Sequence, residues 1–411
     1  TRNRRLVKKI ICLSFLACTT TFVNAQQGCT DPLASNYSSG ATVNDGSCIY
    51  EPTNYTMEDV ADLNSSLLNE NSGIIVFNDH VFTINDGGNS NTIFELDTLG
   101  SIIREISILS ASNVDWEAIS QNSQSVFVGD FGNNSGSREN LCIYEISKAD
   151  IQDPSVNQVT AIRSVFRYED QVDFTWGSNA HNYDCEAFLC TEDSMYLFSK
   201  NWIDEETKRY SLPISWVDTA TAILNNSFNV DGLVTDASID SSGESVMLLG
   251  YKNNGANFYT SFIWMLWDYN ANDFFSGNKR RIEIGTMLSL GQTEGIALKG
   301  NASGFVSSEE ISSVITIPPK LLKFDFSEYF NDEALNIISK GNKEILIYPN
   351  PSTQFIRIEK QNEPFKIYEL ATSRLVLKGL IRSNQIDVTS LSPGHFYLQV
   401  GRSRTKFTKQ K

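Results

Sequence analysis

The 411-residue sequence is poor in histidine and in positive charge. Its three histidines, His80, His181 and His395, exclude a histidine-rich metal site, and no Gly-x-Ser-x-Gly motif supports a serine hydrolase. With 33 Lys and Arg against 49 Asp and Glu, the formal charge of -16 argues against a nucleic-acid partner, because phosphate-binding surfaces need clustered Lys and Arg. Apolar runs are short, and none approaches the roughly 20 residues of a transmembrane span.

The composition is that of a globular protein, with 41% hydrophobic residues. A chain of 411 residues exceeds the size at which one core usually stops growing, so we expect two or more domains or one large repeat architecture. The charge is unevenly spread. Residues 1–25 hold five basic and no acidic groups, residues 341–411 hold twelve basic and five acidic groups, and the segment between them carries -28.

The first 25 residues have the pattern of a secretory signal peptide. Five basic residues precede the apolar run from Ile10 to Ala17, and Val23-Asn24-Ala25 supplies the small residues of a cleavage site. Lipid attachment at Cys18 is an alternative that the surrounding residues fit poorly. The pattern predicts export to an oxidising environment, in which cysteines can pair.

The basic C-terminal segment, residues 344–411, opens with Tyr348-Pro349-Asn350-Pro351, a turn through which no helix could continue. Runs with strand-like alternation follow, such as Phe355-Ile356-Arg357-Ile358 and Phe396-Tyr397-Leu398-Gln399-Val400. They predict a small antiparallel β-sandwich, joined to the preceding domain by a linker at residues 329–343. An ordinary accessory domain would have the same pattern.

This segment resembles the C-terminal sorting domain of the type IX secretion system. The likeness lies in residues 348–351, in Pro393-Gly394-His395-Phe396-Tyr397 and in the basic tail ending Thr405-Lys406-Phe407. The resemblance implies that the chain passes through the periplasm to the outer cell surface or the exterior, with the type IX machinery as a partner. In that family the domain is usually removed on arrival.

Residues 26–52 form a short Asp- and Asn-rich repeat with too few apolar groups to fold unaided, so a Cys29–Cys48 disulfide is expected. The segment resembles repeats of type IX cargo and the calcium-binding thrombospondin type 3 repeat. Four side chains could ligate calcium or simply form Asx turns: Asp31, Asn36, Asn44 and Asp45. Cys142 could pair with Cys185 or Cys190, or all three could be buried thiols.

Residues 70–328 show almost no helical periodicity and many short, turn-bounded apolar runs, which predict an all-β architecture. A loose unit recurs at residues 73–84, 115–130, 184–200, 235–251 and 293–309. This spacing favours a β-propeller, whose closed ring hides its strand edges. Five copies and a weakly marked one near residues 205–230 predict six or seven blades. A sandwich or a β-helix is the structural rival.

The motifs Asp115-Trp116-Glu117-Ala118-Ile119 and Gln292-Thr293-Glu294-Gly295-Ile296-Ala297 resemble SdiA-regulated and phytase-like β-propellers. Innermost strands line a propeller's channel, so Glu117, Glu186 and Glu294 should project around one axis. Grouped carboxylates repel one another unless a cation neutralises them. The predicted calcium ligands are therefore these: Glu117, Glu186, Glu294, Asp115, Asp130 and Asp184.

Two alternatives accompany this prediction. Each glutamate could instead cap backbone amides where its blade begins, which is a purely structural role. The turn sequences Asn85-Asp86-Gly87-Gly88-Asn89 and Gly132-Asn133-Asn134-Ser135-Gly136 could also face a metal.

These patterns favour a secreted or surface-attached, non-enzymatic propeller that binds a glycan or a protein at the mouth of its channel. The alternative is a calcium-dependent phosphoesterase or esterase of the phytase-like type. A phosphate substrate needs basic residues near the channel, and residues 26–340 contain only sixteen Lys and Arg. Whether the protein is an enzyme is left open by the sequence.

Overall fold

The computed structural model describes residues 25–255, 258–312, 316–330, 347–358, 364–369, 375–400 and 403–410. All of the predicted signal peptide except Ala25, and most of the predicted linker, lie outside the described residues. The described chain is almost entirely β-structure, with two short helices, α1 (Lys148–Gln152) and α2 (Met287–Leu290). No described helix has the length and apolar character needed to cross a membrane.

Four short strands precede the main repeat. They are β1 (Gln27–Gly28), β2 (Val43–Asn44), β3 (Thr53–Asn54) and β4 (Glu58–Asp62).

Five antiparallel four-stranded units follow. The first contains β5 (Asn71–Phe77), β6 (His80–Asn85), β7 (Thr92–Leu96) and β8 (Ile102–Ile108). The second contains β9 (Trp116–Gln121), β10 (Ser125–Asp130), β11 (Cys142–Ser147) and β13 (Ile162–Tyr168). The short strand β12 (Gln158–Val159) pairs with the outer strand β8 of the first unit. The third contains β14 (Asp184–Cys190), β15 (Ser194–Lys200), β16 (Thr207–Pro213) and β17 (Thr219–Phe228).

The fourth unit contains β18 (Leu233–Ile239), β19 (Ser245–Asn253), β20 (Tyr259–Trp267) and β21 (Asn278–Thr286). The fifth contains β22 (Gln292–Leu298), β23 (Ser303–Glu309), β26 (Lys320–Asp325) and, as its outermost strand, β4. Between β23 and β26 lies a small hairpin of β24 (Ile311–Ser312) and β25 (Thr316–Ile317).

The units are the blades of a propeller, because their first strands contact one another in a closed ring of β5, β9, β14, β18 and β22. The all-β propeller predicted from the sequence is thus confirmed, but the described residues form five blades, and the predicted six or seven is wrong. The five recurring units are the first two strands of the five blades. The weakly marked copy near residues 205–230 is β16 and β17, the outer half of the third blade.

Strand alternation explains why the blades stack. Val126 and Val128 of β10 pack between the first and second blades, whereas Phe127 packs between the second and third. Successive side chains point to opposite faces of a strand, so a blade between two neighbours is apolar on both faces. Five separate hydrophobic clusters fill the five spaces between adjacent blades.

The ring is closed by an N-terminal strand. Strand β4 pairs antiparallel with β26, and the preceding β3 pairs with β21 of the fourth blade. The propeller therefore begins before residue 70, the boundary expected from the sequence. That expectation fails because β4, with the sequence Glu58-Asp59-Val60-Ala61-Asp62, lacks the apolar run of a core strand and is recognisable only by its partner.

The predicted C-terminal sandwich is confirmed as two small sheets around one core. One sheet contains β27 (Ile347–Tyr348), β28 (Phe355–Ile358) and β31 (Gln385–Asp387), and the other contains β29 (Pro364–Glu369), β30 (Leu375–Leu380), β32 (Gly394–Val400) and β33 (Ser403–Lys409). Asn350 ties the opening turn to β33: its side chain donates to Lys406 O at 3.1 Å and accepts from Thr408 N at 2.9 Å.

The predicted Cys29–Cys48 disulfide is present. The repeat that it closes packs on the fourth blade, where Asn44 Nδ2 donates to Asn278 Oδ1 at 2.9 Å and the Tyr50 ring lies 5.4 Å from that of Trp267. Of the alternatives for the other cysteines, the structure has buried free thiols at Cys142, Cys185 and Cys190.

Candidate functional site

Every innermost strand carries a β-bulge near its beginning. In each blade the pairing between the first two strands skips one residue of the first. Bulges re-aim side chains and are common beside functional sites. The skipped residues are Gly73, Glu117, Glu186, Thr235 and Glu294. The three glutamates selected from the sequence thus hold equivalent positions in three of the five blades.

A cavity of about 180 Å³, the axial cavity, opens at one end of the propeller. It lies where the innermost strands begin and the second strands end, since the pairing sets Asp184 opposite Lys200 and Gln292 opposite Glu309. The structure brings the three bulge glutamates into its lining, which consists of Ser72, Asp86, Glu117, Asn134, Glu186, Lys200, Trp202, Tyr251, Gln292, Glu294 and Glu309.

Three carboxyl groups form a compact set, the carboxylate triad of Asp86, Asp115 and Glu117. One oxygen of each lies within 4.8 Å of one oxygen of the others. Asp86 directly follows β6, Asp115 directly precedes β9, and Glu117 is the bulge residue of β9. Glu186 and Glu294 line the same cavity but do not belong to this set.

Two glycines leave room for the triad. A Cβ atom on Gly87 would lie 2.5 Å from Asp115 Oδ1. A Cβ atom on Gly132 would lie 2.6 Å from Asp115 Oδ2 and closer still to Glu117 Oε1. The loops that follow β6 and β10 therefore approach the carboxylates with bare backbone, which forms a cradle that a side chain would fill.

The three carboxyl groups of the triad are wholly or partly buried and repel one another when they are ionised. Burial and the neighbouring Asp86 raise the pKa of Asp115 to about 6. Burial, Asp86 and Glu186 raise the pKa of Glu117 well above its usual value. Burial likewise raises the pKa of Asp86. Clustered carboxyl groups in a desolvated site hold protons at a pH where exposed ones are ionised.

Lys200 neutralises a different part of the cavity. Its ammonium pairs with the Glu186 carboxylate and lies 5.0 Å from the Trp202 ring centroid and 5.1 Å from that of Tyr251. Although burial opposes its charge, Glu186 and Tyr251 raise the pKa of Lys200. Glu186 thus already has a cationic partner within the protein.

Glu294 and Glu309 occupy the fifth-blade side of the cavity. Gln292 Nε2 donates to Glu294 Oε1 at 2.6 Å. Burial, followed by Glu309, raises the pKa of Glu294 to about 8, although nearby Lys200 opposes the shift. Burial and Asp86 raise the pKa of Glu309 to about 8. Both groups are therefore carboxylic acids near neutral pH.

Two further predicted ligands have protein partners. Asp130 Oδ1 accepts from Arg138 at 2.7 Å. Asp184 accepts from the backbone N–H of Asn133 at 2.7 Å and from Trp202 Nε1 at 2.8 Å. Asp130 Oδ1 also accepts from the backbone N–H of Asp115 at 3.2 Å, so each of these two aspartates caps a backbone amide, which is the role considered as the alternative for the glutamates.

In the fourth blade, Asp236 takes the same capping role. It follows the bulge residue Thr235 and accepts from the backbone N–H of Ala237 at 2.8 Å and of Ile296 at 2.7 Å.

The N-terminal repeat forms Asx turns. Asp31 Oδ1 accepts from Leu33 N at 2.9 Å, Asn44 Oδ1 accepts from Gly46 N at 3.0 Å, and Asp45 Oδ1 accepts from Ser47 N at 3.0 Å. Asn36 Oδ1 accepts from Ile49 N at 2.8 Å, and Asp31 Oδ2 accepts from the Tyr50 hydroxyl at 2.6 Å. These contacts are the non-metal alternative described from the sequence.

Two acidic residues of the site were absent from the predicted ligand set. In the sequence Asp86 belongs to a turn that could face a metal, and Glu309 is the last residue of the recurring unit at residues 293–309. Their position along the strands is the feature that could have identified both. Each lies at the end of its blade's second strand or one residue beyond it. In an antiparallel pair that end adjoins the start of the first strand, where the bulges lie.

Comparison with family models identifies the C-terminal domain. Residues 346–411 match the family described as the secretion system C-terminal sorting domain. The predicted recognition of this segment is thus confirmed, and export to the cell surface or the extracellular space follows from it. A search of the curated proteins finds no match.

Two of the solved structures that match this chain have low sequence identity and low TM-scores. The catalytic domain of a GH62 α-L-arabinofuranosidase from Coprinopsis cinerea is 12% identical, with a TM-score of 0.41, over 67% of this chain and 99% of that one. The extracellular domain of a one-component system from B. thetaiotaomicron is 10% identical, with a TM-score of 0.29, over 87% of this chain and 59% of that one. The fold assignment therefore rests on the strand topology.

Proposed function

We propose that this exported propeller is a calcium-binding protein whose axial cavity holds the cation and, beside it, part of an extracellular ligand. The type IX sorting domain at residues 346–411 supports its place outside the cell. The observation that carries the proposal is the carboxylate triad, of which Asp86 and Glu117 line the axial cavity. The likeness to SdiA-regulated and phytase-like propellers is a prediction from sequence motifs that adds no further support here.

The spread of the triad suits one calcium ion. Calcium binds oxygen ligands at about 2.3 to 2.6 Å, so two ligands of one ion lie at most about 5 Å apart. The triad oxygens fall within 4.8 Å of one another. Calcium accepts irregular sets of carboxylate and carbonyl oxygens, whereas zinc sites usually include His or Cys, which the triad lacks. Asp86, Asp115 and Glu117 are therefore the proposed ligands.

The charge of the lining favours an uncharged ligand. Five carboxyl groups line the cavity, and among its described lining residues Lys200 is the basic one, already paired with Glu186. Arg138 lies 3.8 Å from Asp115, but its guanidinium binds Asp130 and Gly132 O. A phosphate ester would find no unpaired basic group among these described lining residues to receive its charge. Hydroxyl groups of a neutral ligand can bind calcium without needing such a group.

One observation favours catalysis as a second candidate. Glu294 and Glu309, with pKa values of about 8, could donate a proton to a leaving group near neutral pH. A calcium-dependent esterase would use these groups as general acids beside the triad. Hydrolysis of carboxyl or phosphate esters by the purified protein in calcium, lost in Glu294→Gln, would establish this candidate and displace a purely binding role.

Calcium titration tests the leading proposal. Isothermal titration of residues 26–411 should show one high-affinity site, which Glu117→Gln should weaken at least tenfold because a ligand charge is removed. Glu105→Gln, an exposed carboxyl on β8, is the matched control and should leave the affinity unchanged. Equal calcium affinity in the Glu117 variant and the wild type would refute the triad as the site.

A further inference from the structure

The longest connection between successive blades, residues 169–183, lies on the cavity end of the propeller and joins β13 to β14. Hydrogen bonds hold it to the loop at residues 132–136, which contacts the carboxylate triad. Gln171 Nε2 donates to Gly136 O at 2.9 Å, Gly177 N donates to Ser135 O at 2.9 Å, and Asn179 N donates to Asn134 O at 2.8 Å. The connection is therefore fixed beside the cavity, whose lining includes Asn134.

This fixed connection exposes apolar side chains. Trp176 is 70% exposed and Val172 is 89% exposed, and Ile203, in the adjoining loop after β15, is 66% exposed. Ile203 N donates to Asn182 Oδ1 at 3.0 Å, which links the two loops. An exposed Trp costs hydration free energy, and a loop anchored through its backbone presents the ring without a large ordering cost.

We propose that Trp176 is a stacking platform for a sugar ring of an uncharged extracellular glycan whose neighbouring residue enters the axial cavity. The proposal rests on the proposed function, because it names the ligand class of the same site. The C–H face of a pyranose ring is apolar and packs on an indole, while its hydroxyls remain available to polar groups and water. Trp176 is one residue from Gly177, which bonds the loop that borders the cavity.

The surroundings favour a glycan over a protein partner. Polar residues alternate with the exposed apolar residues along the connection, which borders the cavity. These polar residues are Asp170, Asp173, Thr175 and Ser178. A stable protein interface needs a well-packed core within about 1,000 Å² or more of buried area. An isolated aromatic ring beside a polar cavity instead suits a glycan, with one sugar ring on Trp176 and the neighbouring sugar in the cavity. The described lining has no unpaired basic group to receive an anionic chain, because Lys200 pairs with Glu186.

Affinity electrophoresis of residues 26–411 tests this platform. The probes are gels containing dextran, galactomannan, xylan or mixed-linkage glucan, in millimolar calcium, with dextran sulfate as the anionic counterpart of dextran. We expect retardation by at least one neutral polysaccharide and none by dextran sulfate. Trp176→Ala should weaken the retardation at least tenfold, and Trp176→Phe, which keeps an aromatic face, should weaken it only two- to threefold.

Val217→Ala is the matched control, because Val217 is 88% exposed and lies between β16 and β17, at the end of the propeller opposite the axial cavity. It should leave retardation unchanged. All variants should bind calcium like the wild type, which shows that they fold. Unchanged retardation of Trp176→Ala would overturn the platform, as would capture of a protein partner with no polysaccharide retarded. Absence of calcium binding in the wild type would instead overturn the proposed function, while dependence of retardation on Trp176 would still stand.

Discussion

At the scale of single residues, the carboxylates around the axis differ in what surrounds them. Asp184 accepts from three N–H groups and Asp130 pairs with Arg138, so the protein itself satisfies both. The triad of Asp86, Asp115 and Glu117 has mainly other carboxyl groups for neighbours, and the pKa of each is raised. A buried acid that the fold leaves uncompensated is a candidate for binding a cation or a proton.

Gly132→Ala should weaken calcium binding while preserving the fold. The new methyl group would displace the carboxylate ends of Glu117 and Asp115, which are side-chain atoms that can move. We expect at least a tenfold loss of affinity in a calcium titration, with near-normal thermal unfolding. Gly300→Ala, in the hairpin between β22 and β23, is the control, since its Cβ would lie 3.4 Å from the nearest atom. An unaltered dissociation constant for Gly132→Ala would contradict the cradle.

At the scale of elements, the repeated bulge is what aims the site. Each inner strand packs against two others around the axis, and the bulge turns one residue per blade out of the pairing. Where that residue is glutamate, the cavity gains a carboxylate. Gly73 is the bulge residue of the first blade, and its Cβ would lie 2.8 Å from the backbone nitrogen of Ile119 in the adjacent inner strand.

Gly73→Ala should destabilise the propeller because both its positive φ of 51° and the contact with backbone exclude a side chain. Gly243→Ala separates the two causes, since Gly243 also has a positive φ, of 69°, but nothing lies within 4 Å of its Cβ. We expect a loss of about 1 kcal/mol in unfolding free energy for Gly243→Ala and about 3 kcal/mol for Gly73→Ala. Equal losses in chemical denaturation would show that the axis tolerates a methyl group.

At the scale of the whole molecule, the sorting domain and the proposed binding site lie in different parts of the chain. The basic sorting domain, residues 346–411, has its own core, and the propeller bears most of the negative charge. Several acidic side chains cluster at the axis, where burial raises the pKa of Glu294 and Glu309 to about 8, so these two groups titrate near neutral pH. The stability of the molecule should therefore depend on pH and on calcium together.

Without calcium, the free energy of unfolding should fall as the pH rises from about 4.5 to 8. The folded pKa values of Glu294, Glu309 and Asp115 exceed the unfolded ones, so the native state binds more protons across this window, and the stabilisation present at low pH is lost. One pKa unit corresponds to about 1.4 kcal/mol, so we expect a loss of a few kcal/mol.

Saturating calcium should offset this loss, adding about 2.7 kcal/mol at a hundred times the dissociation constant. Thermal unfolding of residues 26–411 at pH 5 and pH 8, with calcium or with a chelator, measures both effects. A melting temperature that rises from pH 5 to pH 8 in the chelator would contradict the electrostatic account.

Sequence patterns alone predict the strand alternation, the Cys29–Cys48 disulfide, the sorting domain and the equivalence of Glu117, Glu186 and Glu294. Each of these depends on residues close in the chain or on a repeated local pattern. Three features become evident only in the folded chain: the described ring has five blades, β4 closes it, and Asp86 joins Asp115 and Glu117. Those facts depend on which blades become neighbours, because ring closure brings together side chains whose local sequences hold no information about one another.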